Sequence, residues 1–286
     1  MHTRIKRIGV ALASAALLSA VAGAAPATAI TGGQPDGEGH PNVGLILFYE
    51  AAGRFRCTGT LVSPTVILTA AHCTAGTLGE TLVTFNSVIA EQPPSGFPVA
   101  NDPTAGYTAA ELEAAGYLHG VAHAHPDYSD FTDLDNWNDV GVIVLDEPVA
   151  GIEPAAIAPV GYLNAYAQPA LNHTIFRSVG YGTEVRKPDS GKQKPTPQSY
   201  PLIRRFADEP GQKLTAQILQ VNGNIHDTRG TGGTCFGDSG GPTFHNGLVV
   251  TVTSYGYTDN CRYLDGMQRV DIPSVASWLD GFLNPE

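Results

Sequence analysis

Three short runs of this chain carry residue types that could do chemistry together. Residues 234–242 read Thr-Cys-Phe-Gly-Asp-Ser-Gly-Gly-Pro, which sets Ser239 in a glycine-flanked turn with its hydroxyl standing clear. Backbone N–H groups in such a turn can converge on an oxyanion, and Gly237 allows backbone geometry that a Cβ would not tolerate. Residues 69–73 read Thr-Ala-Ala-His-Cys, so His72, the usual type of general base at neutral pH, sits beside a cysteine that could pin it. Residues 138–145 read Asn-Asp-Val-Gly-Val-Ile-Val-Leu, a carboxylate at the mouth of an apolar strand. Amide hydrolysis needs a nucleophile, a base, a group that orients the base, and donors for the oxyanion. Ser239, His72, Asp139 and the N–H groups of Gly237 and Ser239 would supply them in that order. Singly, each has a plainer reading: a turn serine, a packed or surface histidine, a strand-end cap. Asp133 and Asp135 lie close by, but only Asp139 directly precedes the apolar strand.

Taken together, these runs and the order His72, Asp139, Ser239 resemble the secreted serine proteases of the chymotrypsin/trypsin family. The resemblance covers nearly all of the chain after residue 29. It implies that Ser239 is the nucleophile of an acyl-enzyme mechanism, that His72 takes and returns the proton, and that Asp139 holds the imidazole tautomer. It also implies an all-β fold of two six-stranded antiparallel β-barrels with a C-terminal helix, the site lying in the cleft between them. Position 141 is glycine where the family's Asn-Asp-Ile-Ala-Leu pattern has alanine. Gly237-Asp-Ser239-Gly-Gly241 also satisfies G-x-S-x-G, but an α/β-hydrolase runs serine, acid, histidine through alternating strands and helices. Here the histidine comes first and helix is scarce. An alternative from another class is a catalytically inactive trypsin-like binding or adhesion protein. Such relatives usually lose a triad member, and none is missing here.

The resemblance extends to the rest of the site. Ile30-Thr-Gly-Gly33 is similar to the family's Ile-Val-Gly-Gly N-terminus, whose freed α-amine pairs with the carboxylate before the nucleophile, here Asp238. The pocket-floor position six before Ser239 is Gly233, so the aspartate that selects Arg or Lys is absent there. Ser254-Tyr255-Gly256 matches the opposite wall, where an extended substrate would pair in β fashion. Counting back from Arg269-Val270 puts Asp265 near the base among Gly233, Thr234 and Gly256, where it would favour a cationic side chain. An apolar pocket is the alternative. Four cysteines in an exported chain allow three pairings. Spacing and motif favour Cys57–Cys73 and Cys235–Cys261, the first fastening the histidine turn and the second bracing the pocket.

The bounds agree. His2, Arg4, Lys6 and Arg7, an apolar run from Ile8 to Ala24, and Ala27-Thr28-Ala29 read as a secretory signal peptide over residues 1–29. The signal carries three of the sixteen Lys and Arg and no acid, leaving 13 basic against 27 acidic residues, a net charge of −14. That excess argues against nucleic acid or an anionic membrane as partner. The expected protein is a secreted, extracellular monomer that acts on proteins or peptides without cofactor or metal. His119, His123 and His125 are read as an exposed strand edge, not a metal site.

Short β-branched or apolar runs at Val43–Phe48, Thr58–Val62, Val66–Thr69, Val140–Leu145, Thr174–Val179, Lys213–Val221 and Thr243–Tyr255 predict strands. Asn246-Gly247 predicts a hairpin. Thr108 and Glu111 could form a capping box ending near Gly116, and Val275, Trp278, Leu279 and Phe282 share one face of a terminal helix over 274–283. Residues 30–155 and 156–286 are expected to form the two barrels. Gln92–Tyr117 and Arg186–Tyr200 are polar and expected to be exposed, the latter open to self-cleavage.

Overall fold

Half-buried strands need a partner sheet, and this chain satisfies its strands by closing two sheets on themselves. The structure is a computed structural model that describes residues 30–185 and 198–284; the signal segment and most of Arg186–Tyr200 lie outside the described residues. The first half supplies β1 (Gln34–Pro35), β2 (Val43–Glu50), β3 (Gly53–Ser63), β4 (Val66–Thr69), β5 (Leu78–Thr84), β6 (Val88–Ala90), β7 (Leu118–Ala124) and β8 (Gly141–Leu145). The second supplies β9 (Ile175–Gly180), β10 (Glu184–Val185), β11 (Gln198–Ser199), β12 (Leu202–Ile203), β13 (Arg205–Leu214), β14 (Ile218–Asn222), β15 (Pro242–His245), β16 (Leu248–Gly256) and β17 (Leu264–Arg269). Strands β2-β3-β4-β8-β7-β5 form one closed antiparallel barrel. Strands β13-β14-β17-β16-β15-β9 form the second, closed by the β9–β13 pairing. Closure leaves no free barrel edge. The fold is the all-β pair of six-stranded barrels with a short C-terminal helix. Among the described residues no helix is long and apolar enough to cross a membrane.

Local chemistry explains much of the pattern. Strand β2 is buried on both faces. Ile46 and Phe48 join Leu61, Ile67 and Ile143 in one core cluster, while Leu45 and Leu47 join Leu68 and Val142 in another. The Asn246-Gly247 turn between β15 and β16 has both residues at positive φ, 51° and 79°, as a two-residue hairpin requires. Thr108 caps α1 (Ala109–Ala114) by the reciprocal capping box with Glu111.

Other elements differ from the sequence reading. Lys213–Val221 is not one strand. Thr215 breaks it by bonding back to Ile218, so β13 and β14 form a hairpin. The stretch Gln92–Tyr117 is not wholly exposed, because Phe97, Ala100, Tyr107 and Leu112 are buried against the first barrel. His119 and His125 are buried as well. The terminal segments are exchanged between the halves: β1 adds to β13, while α2 (Pro273–Leu283) sets Trp278 against His125 and Phe282 against His123.

One register matters most for the site. In the β4–β8 pair, Thr69 stands opposite Gly141. His72 follows β4 by three residues and Asp139 precedes β8 by two, so the pairing alone brings the two segments together. A Cβ at Gly141 would lie 2.3 Å from Thr74 Oγ1 and 2.7 Å from the Ala70 carbonyl oxygen. The glycine that departs from the family pattern is thus required by the turn that carries His72. Gly141→Ala should destabilise the protein by about 1–3 kcal/mol, measured by chemical unfolding. An unchanged unfolding midpoint would show that the turn yields without strain.

Candidate active site

The carboxylate of Asp139 is fully buried, and donors from two segments converge on it. The backbone N–H of His72 donates to Oδ1 at 2.9 Å, and His72 Nδ1 lies 2.8 Å from Oδ2. Ser254 Oγ, from β16 in the other barrel, donates to Oδ2 at 2.6 Å, and Trp137 Nε1 donates to Ser254 Oγ at 2.9 Å. The N–H of Asp139 donates to Gln268 Oε1 of β17 at 3.1 Å. The imidazole is partly exposed, 21% by side chain, with its Nδ1 edge toward Asp139.

His72 sits in a 3₁₀ turn, Ala71–Cys73, that the Cys57–Cys73 disulfide ties to β3. The residue after Cys57 reaches the serine turn. Thr58 N donates to the Ser239 carbonyl at 2.8 Å, and Thr58 Oγ1 donates to the Gly237 carbonyl at 2.8 Å. Adjacent residues of one strand therefore hold both turns. Packing is as close on the other side: a Cβ at Gly240 would lie 2.0 Å from Thr69 Oγ1. Gly237 has φ +100° and Gly240 φ +73°, conformations that L side chains resist. Among the described residues, neither the Gly237 nor the Ser239 N–H donates to a protein acceptor.

Ser239 shares a cavity of about 170 Å³ with Thr234, Ser254, Tyr255, Gly256 and Asp265. The Cys235–Cys261 disulfide lies in its wall. Gly233 is behind this wall, where a Cβ would meet Gly223 Cα at 2.3 Å and Asp265 Oδ2 at 2.9 Å. A larger, more open depression of about 610 Å³, lined by His40, Arg177 and Asp208 among others, touches none of these residues.

Asp265 is buried and accepts from the Thr234 N–H at 2.8 Å. Burial pushes its carboxyl up to about 7, eased by that hydrogen bond and by interaction with Glu209. Glu209, on β13, is fully buried and accepts from Ser178 Oγ at 2.8 Å. Burial and the neighbouring Asp265 charge hold Glu209 well above the usual carboxylate range. Asp238, also buried, accepts from Gly182 N at 2.7 Å and Cys235 N at 2.9 Å. Burial pushes it up to about 7 despite those bonds and the nearby Arg56 charge. A Cβ at Gly180 or Gly182 would lie within 2.2 Å of its oxygens, so both must be glycine. Ile30 is fully buried at φ 55°, and the next residue, Thr31, accepts from Gly233 N at 3.0 Å.

Sequence reasoning assigned Ser254 to the pocket wall only and passed over Trp137, Gln268, Glu209 and the Gly180/Gly182 cradle. Gly-Tyr-Gly at 180–182 was the one local signal, since two closely spaced glycines at a strand end suggest a close approach.

Two antiparallel barrels with this site between them define a chymotrypsin-like fold. The trypsin family model matches residues 30–279, so this chain belongs to the trypsin family. Brachyurin from Leptuca pugilator is 30% identical over 238 residues, covering 75% of this chain and 82% of that protein. Trypsin zeta from Drosophila melanogaster is 23% identical over 234 residues, covering 80% and 75%. The solved structure of HL collagenase has a TM-score of 0.63 at 18% identity and covers 90% of this chain and 100% of that one, a likeness of fold.

Proposed function

We propose that this protein is a secreted, monomeric serine endopeptidase that cleaves peptide bonds through an acyl-enzyme on Ser239. The observation that carries this reading is the hydrogen-bonded series from Trp137 through Ser254 and Asp139 to His72, beside the cavity that contains Ser239. With Nδ1–H donated to Asp139, the free Nε2 of His72 is the base. Ser239 Oγ attacks the carbonyl carbon as its proton passes to Nε2, and the carbonyl oxygen becomes an oxyanion held by the N–H groups of Gly237 and Ser239. The C–N bond breaks as Nε2 returns the proton to the leaving amine, and water repeats the cycle on the ester. Two disulfides fit an oxidising, extracellular compartment. Ser239→Ala should lower kcat by roughly 10⁴-fold with the fold intact. A serine-directed organophosphonate should add one adduct at Ser239, seen by mass; an inactive binding protein on this scaffold would gain none.

Release of the chain before Ile30 would activate the enzyme. Support comes from the burial of Ile30 and from Asp238, a buried carboxylate that a cation would relieve. Cleavage by signal peptidase after Ala29 would free the α-amine to pair with Asp238 and order the oxyanion donors. The amine has an ordinary pKa near 7.7–8.0, raised by pairing, so activity should fall in alkali as it deprotonates. N-terminal sequencing of the active form should begin at Ile30, and a fully active form starting upstream would refute the assignment.

Asp265 would select cationic side chains, with Thr234 shaping the space before it, Gly233 packed behind the wall, and Ser254, Tyr255 and Gly256 lining the approach. Its carboxyl is neutral below about 7 and charged above. The kcat/KM ratio of Arg to Phe substrates should therefore fall as pH drops through about 7. Asp265→Ala should remove that pH step and cost Arg and Lys substrates about 2–5 kcal/mol in kcat/KM. An unchanged Arg-to-Phe ratio in the variant would show that Asp265 plays no part in selecting the side chain.

A further inference from the structure

At the end of β8 away from Asp139, three potential ligands from three segments point at one spot. Glu80 comes from β5, His119 from β7 and Asp146 from the residue after β8. His119 Nδ1 lies 3.2 Å from Asp146 Oδ2 and 3.8 Å from Glu80 Oε2, and the three ligand atoms all fall within 4.8 Å of one another. His119 is only 7% exposed. Its Nδ1 and Glu80 Oε2 are buried atoms without a hydrogen bond of good geometry. His119 nonetheless lies at ion-pair distance from Glu80 and Asp146 and lowers the proton affinity of Glu80. Buried polar atoms rarely go unsatisfied without a reason.

The two His119 spacings suit a metal shared with the carboxylates. Bonds of about 2.0–2.2 Å in a tetrahedron separate neighbouring ligand atoms by roughly 3.3–3.6 Å, between the two distances seen here. We propose that Glu80, His119 and Asp146 form a structural zinc site that ties β5, β7 and the end of β8. An imidazole nitrogen with two carboxylates suits zinc, whereas calcium takes oxygen ligands in larger number. Glu113 Oε1 of α1 lies 3.8 Å from the other ring nitrogen, Nε2, on the side where a carboxylate steers a metal-bound imidazole. An adjoining cavity of about 380 Å³, lined by Tyr117 and Glu147 among others, leaves the fourth position open to water. Seven residues of extended chain, roughly 23 Å, separate Asp146 from Asp139, so zinc here would leave the peptidase site clear.

The same positions would arise without metal if a protonated His119 merely paired with its acidic neighbours, and the experiment separates the two. The secreted protein, stripped with EDTA, is titrated with zinc chloride by calorimetry and by thermal unfolding. One zinc per chain should bind at micromolar Kd or tighter and raise Tm by several degrees, equally in wild type and in His72→Ala, which excludes binding at the active site. His119→Ala should weaken binding at least 100-fold. Asp146→Asn, at a half-exposed position that tolerates change, should weaken it at least 10-fold and serves if His119→Ala does not fold. No heat and no Tm shift up to about 0.1 mM zinc, or equal binding by wild type and the site variants, would overturn the site.

Discussion

Everything near the cavity depends on burying the Asp139 carboxylate with its donors in place. Removing a carboxylate from water costs several kcal/mol unless hydrogen bonds replace the lost hydration. Here the replacements come from both barrels: His72 from the turn after β4, Ser254 from β16 and, for the backbone N–H, Gln268 from β17. The acid is therefore satisfied only when the barrels are docked. The same contacts that settle its charge also fix the face of the imidazole, and Trp137 fixes the hydroxyl of Ser254 in turn.

Close backbone approach is the second constraint. The serine turn lies against Thr69 and Ala70 with no room for a side chain at Gly240, and Gly180 and Gly182 wrap the Asp238 carboxylate at distances that exclude a methyl. Gly141 gives the His72 turn its space. These four glycines come from three separate segments. Each is small because another segment, remote in sequence, occupies the volume a Cβ would fill.

The second barrel also concentrates buried acids. Asp265 raises the proton affinity of both Glu209 and Asp238, and Asp238 raises that of Glu209, while the Glu209 contact lowers that of Asp265. Burial is the largest cause in every case. Crowding buried carboxyls in this way favours their neutral forms, and a cation beside one of them would offset that cost. Polar residues buried in this way also explain why several strands were hard to see. Strands β7, β13 and β17 carry His119, Glu209, Asp265, Gln268 and Arg269 at buried positions, which erases the alternation that marks a strand.

What the sequence determined by itself was local. Strands β2 and β4, the Asn246-Gly247 hairpin, the Thr108 capping box and the terminal helix follow from side-chain periodicity and turn chemistry, which act over a few residues. The all-β class and the family were legible for the same reason, since the runs around His72, Asp139 and Ser239 are short and contiguous. Only the tertiary structure decided what those residues touch: the Thr69–Gly141 register, the reach of Thr58 to the serine turn, and the turning of Ser254 and Gln268 toward Asp139. It alone paired Glu209 with Asp265, gathered Glu80, His119 and Asp146, and exchanged β1 and α2 between the barrels. A buried polar group is satisfied by partners tens of residues away, and nothing in its own segment says which they are.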